Sequence, residues 1–508
     1  MKSLSGQKKN GKMETVIKAL HGRADVYGLI GRNHDALTDL NNAEKLSKTV
    51  RNREYAALTC LLQSNVYGSL SMYGDMENRA LKALKISQKT GNRKISAESY
   101  NNLGAVQSGF GDHRKALGYF LKAACTFREK DLTGKGQSLN NAATAYLSIG
   151  DPGRAMAFFM RALKLSKKSA DLKTEAMCLN NIGNANEYIG KNEEAYKYYL
   201  KALEIRTAIG DRHGQGMCHT RLGGFYQRAG NYSKALECHN KARDIFIEIG
   251  DRSSLSVSYN NIGVICYALG KYRTTLECFS ASLEMKERIG DRKGEAATLE
   301  NMGHLNNRLG DLEEAMECFK RSMNISEELR SEREKCSCAI SLCSVLIEMN
   351  RLKEAGEYLD MAGNLMSGSP SADSARKYEL CKASLSIALG RYDEALESAE
   401  KAYDISAGIK SKIGMADALL IKARSLSKLP SEDAGAADRC FRKAFEIYSD
   451  IKRSFELAKA FYHYAEYAFF KGRKNDTLAF LRKASGAFRK TGNRRYLKKV
   501  EDLRTRCL

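Results

Sequence analysis

A repeat of 40 residues governs the middle of this 508-residue chain. Successive copies run from Asp131 to Ala170, Asp171 to Gly210, Asp211 to Gly250, Asp251 to Gly290 and Asp291 to Arg330. Each has a helix bearing a pair such as Asn180-Asn181, then a small residue, a turn, and a second helix with a small–aromatic–small line. Three copies follow a Gly-Asp-Arg step, at Gly210, Gly250 and Gly290. A fixed period of this kind marks a stacked-repeat protein, in which a unit buries its apolar face only against its neighbours. The array can lengthen without starting a new core, so the length does not have to be divided among globular domains.

Turn residues extend the period in both directions. They stand at Gly31, Gly74, Gly111, Gly150, Gly190, Gly230, Gly270 and Gly310, then Asn350, Gly390 and Gly472. Asn replaces Gly once because both tolerate the left-handed conformation that ends a helix. In the copy from Asp171, Ala176, Leu179, Ile182, Gly183 and Asn186 form the apolar stripe of one helix, and Ala195, Tyr199, Ala202 and Leu203 that of the next. The spacing is helical. Gly183 and the alanines are small where two helices cross, and Tyr199 fills the space they leave. Gly190 reverses the chain, Gly210 ends the second helix, and Asp211 caps the following one. Neighbouring copies carry Ala116/Phe120/Ala123, Ala155/Phe159/Ala162 and Ala315/Phe319/Ser322, with His239 standing in for the aromatic between Ala235 and Ala242. His239 is read as a core histidine. Three prolines in the whole chain agree with helix throughout. An all-α solenoid of about twelve antiparallel hairpins follows.

The organisation expected is a basic disordered tail at 1–12, an array at 13–365 with its regular core at 92–330, a flexible joint at 366–373, degenerate units at 374–490 and a basic end at 491–508. Positive charge gathers at the ends. Residues 1–20 hold five Lys against one Glu, and residues 471–508 hold thirteen Lys and Arg against three acidic residues, within a net charge of +23. Such ends serve solubility or meet an anionic partner, whether nucleic acid, an acidic protein or a membrane surface. Cys238, Cys278 and Cys318 recur at one place in successive copies, where equivalent helices lie too far apart for a bridge. They read as small packing residues in a reducing, cytoplasmic setting. No run of eighteen apolar residues occurs, and no secretory signal opens the chain.

Small residues at the eighth, twentieth and twenty-seventh places of a hairpin, with an aromatic at the twenty-fourth, resemble the tetratricopeptide repeat. The 40-residue form is similar to the repeats of kinesin light chains and of adaptors of the Partner-of-Inscuteable type, over about residues 13–490. Trp is missing from the fourth place, where Tyr100, Leu139, Leu179, His219, Tyr259 and Leu299 stand, and the closing Pro is missing too. The adaptors' G-protein-binding segments have no counterpart. The resemblance implies a right-handed superhelix whose first helices line a concave wall.

Opposite the packing stripe, one column on those first helices reads Asn65, Asn102, Asn141, Asn181, Arg221, Asn261 and Asn301. Asn is a poor helix former, so its recurrence in mid-helix needs a cause. A carboxamide both donates and accepts, and a ladder of them suits the main chain of an extended peptide. In the arrays that this chain resembles, Asn at this place grips ligand backbone. The competing reading has each Asn bonded to the next helix as a spacer. Asn184, Tyr188, Arg228, His304 and Arg308 complete the candidate groove. Arg221, Arg228 and Arg308 suit an acidic side chain or carboxylate, although Glu187 and Glu300 make the wall mixed. The column ends at Ser341, Cys381 and His463, and the groove is expected to end with it.

Signs of catalysis are missing. There is no phosphate loop ending in Gly-Lys-Ser/Thr and no His-Glu-x-x-His. Cys336 and Cys338 lack the second pair of a zinc site. No cofactor or metal is expected. The leading reading is a non-enzymatic scaffold or adaptor that binds a partner peptide through the Asn/Arg ladder. The alternatives are an anionic partner held by the basic ends, through Lys8, Lys9, Arg494, Arg495, Lys498 and Lys499, and a sensor or docking component whose catalytic domain lies on another chain.

Overall fold

A computed structural model describes residues 2–29, 31–366, 371–429, 435–451 and 453–508. Among them lie twenty-five α-helices and no strand. In chain order these are α1 (Lys2–Leu29), α2 (Asn33–Val50), α3 (Arg53–Ser69), α4 (Tyr73–Thr90), α5 (Arg93–Gly109), α6 (His113–Thr126), α7 (Leu132–Ile149), α8 (Pro152–Lys168), α9 (Leu172–Tyr188), α10 (Asn192–Ala208), α11 (Arg212–Arg228), α12 (Tyr232–Glu248), α13 (Arg252–Ala268), α14 (Tyr272–Ile289) and α15 (Arg292–Leu309). The series continues with α16 (Leu312–Glu328), α17 (Glu332–Glu348), α18 (Leu352–Leu365), α19 (Ala372–Ala388), α20 (Tyr392–Gly408), α21 (Lys412–Leu426), α22 (Ala436–Asp450), α23 (Ser454–Phe470), α24 (Lys474–Thr491) and α25 (Arg494–Cys507). Among the described residues consecutive helices pair into twelve hairpins, α1–α2 to α23–α24, and α25 follows as a single helix. The fold is the all-α helical-repeat solenoid that the period implies.

The repeated glycine sets the distance between the helices of a hairpin. A Cβ added at Gly183 would stand 2.6 Å from the ring of Tyr199, and one at Gly263 2.6 Å from Phe279. The same glycine–ring contact joins Gly104 to Phe120, Gly223 to His239 and Gly303 to Phe319. The aromatic rings among them are buried, and each removes apolar surface worth roughly 2–3 kcal/mol. Gly190 turns with φ 81° and Asn350 with φ 62°, so the exchange of Asn for Gly holds. Most Asx residues that precede a helix cap it, Asp131 and Asp311 being exceptions. Asp211 accepts from the Gly214 N–H at 2.9 Å and Asp251 from the Ser254 N–H at 3.0 Å.

Two expectations need correction. Gly74 lies inside α4, and the turn before it is made by Ser71 at φ 58°. A hydroxyl residue takes the left-handed position there. At the N-terminus α1 already starts at Lys2, where a disordered tail was expected. No proline interrupts the run, and the helix extends upstream of its first fully buried residue, Ile17. Most of the joint expected at 366–373 lies outside the described residues; α18 ends at Leu365 and Ser371 caps α19.

The chain divides into two compact units, residues 1–295 and 296–508. In the first, odd-numbered helices pack on one another, α1 on α3, α3 on α5, α5 on α7, α7 on α9 and α9 on α11, and form a continuous inner wall. The unit also meets itself. Gly31, in the α1–α2 turn, lies against Arg252 and Ser253 at the start of α13, and Leu70 and His34 lie against Gly290. In the second unit α17, α19, α21, α23 and α25 form the corresponding wall.

Candidate functional site

The asparagines of the first unit are tied to one another. The Asn102 amide donates to Asn65 Oδ1 at 2.7 Å and to Ser64 Oγ at 3.1 Å. The Asn181 amide donates to Asn140 Oδ1 at 3.0 Å, so the link between α7 and α9 falls on Asn140, one residue before the predicted Asn141. Asn101 reaches Ser138 Oγ at 3.0 Å. Both readings of the ladder therefore have a physical basis in the same residues. One hydrogen bond per amide orients the side chain, and a carboxamide has further donor and acceptor sites. Asn141 and Asn261 are half-buried, and among the described residues neither has a side-chain hydrogen bond.

Around this line the wall is aromatic and charged. Tyr199 donates from its hydroxyl to Asn184 Oδ1 at 2.6 Å and to Glu187 at 3.0 Å. Burial, then the Glu187 charge, push its phenol well above the usual range. Glu187 also holds the Arg228 guanidinium, at 2.7 Å from Nη2. Tyr188 is 61% exposed, and Arg221 is exposed with no partner among the described residues. The basic spot expected from three arginines is thus left to Arg221 within this unit.

The remaining predicted residues, Asn301, His304 and Arg308, belong to the second unit. Asn301 is half-buried. The His304 ring meets Phe319 edge-on at 5.1 Å, and burial lowers its pKa. Arg308 is an internal tie. It pairs with Glu456, lies 4.5 Å from the Phe455 ring, and offers its carbonyl to the Asn493 amide at 2.7 Å.

These contacts fold the last helices back over the wall of the second unit. Glu348, the final residue of α17, is the other tie. It takes Arg495 at 2.8 Å, the Tyr496 hydroxyl at 3.1 Å, Lys459 at 3.4 Å and Lys499 at 3.5 Å. Burial alone would raise the Glu348 carboxyl, but the three cations and the phenol hold it far below the carboxylate range. Burial pushes the Tyr496 phenol up to about 12.

A cavity of about 660 Å³ lies inside the closure. Its lining includes Ser341, Cys381 and His463, the three residues at which the Asn column was read as ending. Ile340, Ile347, Leu380 and Leu420 supply apolar wall, while Arg376, Lys377, Asp417, Arg424, Lys459 and Lys499 supply charge. Burial pushes the Asp417 carboxyl up to about 6, against a hydrogen bond from the Tyr448 hydroxyl at 2.6 Å. The His463 imidazole is lowered to about 4 by burial and then by Arg424. The sequence signal that could have found this site is the continuing register of 341 and 381 with the column, irrespective of residue type.

No group of three or more His, Cys, Asp or Glu suited to a metal occurs among the described residues, and all fourteen cysteines are free thiols. Among the described residues no helix is long and apolar enough to cross a membrane.

A twelve-hairpin solenoid with small-residue crossings and a lined inner wall defines a helical-repeat protein of the interaction class. Tetratricopeptide-repeat family models match residues 175–248 and 254–328, and 136–169 and 382–408. The chain is a tetratricopeptide-repeat protein. Comparison with curated proteins finds no match. Among solved structures it is similar to aspartyl phosphate phosphatase F from Bacillus subtilis, at 15% identity over 78% of this chain and 92% of that one, with a TM-score of 0.46. It is also similar to a Rap protein complexed with competence and sporulation factor, at 14% identity over 72% and 99%, TM-score 0.46. A third is the apo form of the quorum sensor NprR from B. thuringiensis, at 14% identity over 68% and 99%, TM-score 0.42.

Proposed function

We propose that this chain is a non-enzymatic interaction scaffold that holds an extended segment of a partner protein against the inner wall of its first unit. The observation that carries the reading is the row of carboxamides on stacked helices, Asn65, Asn102, Asn141, Asn181 and Asn261. Two of its rungs are oriented by bonds to a neighbouring helix, and the wall beside them has exposed Tyr188 and unpaired Arg221. Oriented amides can take the N–H and C=O of an extended chain at little further entropic cost. Arg221 favours an acidic side chain or a carboxylate on the partner.

The test is affinity capture with wild type and an Asn141→Ala/Asn261→Ala/Arg221→Gln variant of unchanged melting temperature. These three residues leave no hydrogen bond behind, so the fold is spared. A protein retained by wild type and released by the variant supports the groove; equal retention of every partner overturns it.

A second reading rests on the outer faces of α24 and α25, where Arg482, Arg489, Lys490, Arg494, Lys498 and Arg504 are exposed. Of the cations that the sequence offered for an anionic partner, Arg495 and Lys499 are paired with Glu348, whereas Arg494 and Lys498 face outward. The Lys8 and Lys9 side chains lie outside the described residues. Nucleic-acid binding by this face should weaken steeply between low and physiological salt, as counterion release requires. A flat salt response excludes it.

A further inference from the structure

The partly enclosed cavity of the second unit is lined by more cations than its ion pairs use. Arg376 and Lys377 are paired with Asp373, at 2.6 and 3.2 Å. Lys459 and Lys499 share Glu348, and Glu456 is held by Arg308. Among the described residues the guanidinium of Arg424, alone among the lining cations, makes no side-chain hydrogen bond or ion pair.

Arg424 lies on α21 at a fixed place relative to apolar wall. Ile413, Asp417, Leu420, Ile421 and Arg424 are spaced i, i+4, i+7, i+8 and i+11, so one face of this helix presents all five to the cavity. Asp417 does not compensate Arg424. It stands two helical turns away and its carboxylate is engaged by the Tyr448 hydroxyl at 2.6 Å. Lys459 adjoins the guanidinium. His463 is lowered to about 4 and bonded to Glu466 at 2.7 Å, and the Glu466 carboxylate acts on Arg424 through space without an ion pair to it. An unpaired cation in a partly enclosed space is costly unless an anion meets it.

We propose that this cavity is the binding site of a small organic anion, a compact apolar body with one carboxylate or phosphate that pairs with Arg424. The volume of about 660 Å³ is in the range of small-ligand pockets, roughly 300–1,000 Å³. The isoleucines and leucines of the wall take the body, and the guanidinium fork takes two oxygens of the head. The site is in a different unit from the proposed peptide groove and does not depend on that reading.

Titration calorimetry of the full chain with octanoate and with octyl phosphate tests it, with 1-octanol as the uncharged control. One-to-one binding of either anion, weakened about tenfold or more by Arg424→Gln and unchanged by Lys490→Gln on the outer face of α24, is the expected result. The preferred anion identifies the head group. No heat from either anion, equal binding of 1-octanol, or unaltered binding by Arg424→Gln overturns the proposal. Arg424→Gln removes no internal bond, and a melting curve checks that it folds.

Discussion

Glu348 and Arg495 stand 147 residues apart in the chain and 2.8 Å apart in the folded second unit. Arg495 also donates to the main-chain carbonyl of Glu348, and Tyr496 and Lys499 of the same helix reach its carboxylate. One side chain at the end of α17 therefore fixes α25 and, through Lys459, α23.

Glu348→Gln should release this closure. It leaves three cations facing each other without their anion, a loss of roughly 3–5 kcal/mol for a buried network. Hydrogen exchange is expected to speed up in α25 while α1–α14 keep wild-type protection. Uniform protection in both units would contradict the role given to Glu348.

Acidity should affect the cavity through Asp417. Its folded pKa, about 6, lies above the unfolded value near 3.8. The stability it contributes is full below pH 3.8 and is lost as pH rises through 6. Asp417→Asn keeps an acceptor for Tyr448 and removes the charge. It is expected to stabilise the protein by up to about 3 kcal/mol at pH 7.5, with the gain fading towards pH 4. Denaturant midpoints of the two proteins at both pH values measure this.

His239 has the opposite sign. It is buried, neither ring nitrogen has a partner, and burial lowers its pKa to about 4. Folded His239 resists the proton that unfolded histidine takes near pH 6.5, so its contribution is lost as pH falls from 6.5 towards 4. The equivalent ring is Phe279 one hairpin on, where Gly263 makes the same contact. His239→Phe should raise the melting temperature, and raise it more at pH 5 than at pH 8.

Gly183→Ala tests the helix crossing. The new Cβ meets the Tyr199 ring, whose hydroxyl is fastened to Asn184 and Glu187 and cannot swing aside. Ala143, 40 residues earlier, fits against Phe159, which has no hydroxyl to be fastened. The expected cost is about 1–3 kcal/mol, partly recovered in the double variant with Tyr199→Phe.

Asn181→Ala and Asn261→Ala should part company. The first strands the buried Asn140 carbonyl oxygen at a cost of about 1–2 kcal/mol. The second breaks no bond and gains about 0.5 kcal/mol of helix propensity. Equal effects would mean that the α7–α9 link contributes nothing.

What the sequence disclosed was what acts within one hairpin or between neighbours. Gly183, Tyr199, Gly190 and Asp211 each meet a partner fewer than twenty residues away, and the period repeats them until they are plain. Ser71 escaped because a glycine in the first turn of α4 looks like a turn glycine, and no local rule separates the two. Arg308 looked like a groove cation because its carboxylate, Glu456, comes 148 residues later and belongs to no repeated pattern. The cavity was passed over for the same reason. Ser341 and Cys381 stand in register with the asparagines, but its other side is supplied by α21–α25.

The Glu348 closure also bears on the order in which the protein can be made. The hairpins of an array can settle on their predecessors as they leave the ribosome, since their contacts are local. Glu348 cannot. Its four partners are 111 to 151 residues downstream. Until α25 has been made this carboxylate and the cavity beside it face water, and the second unit is completed only when α25 turns back.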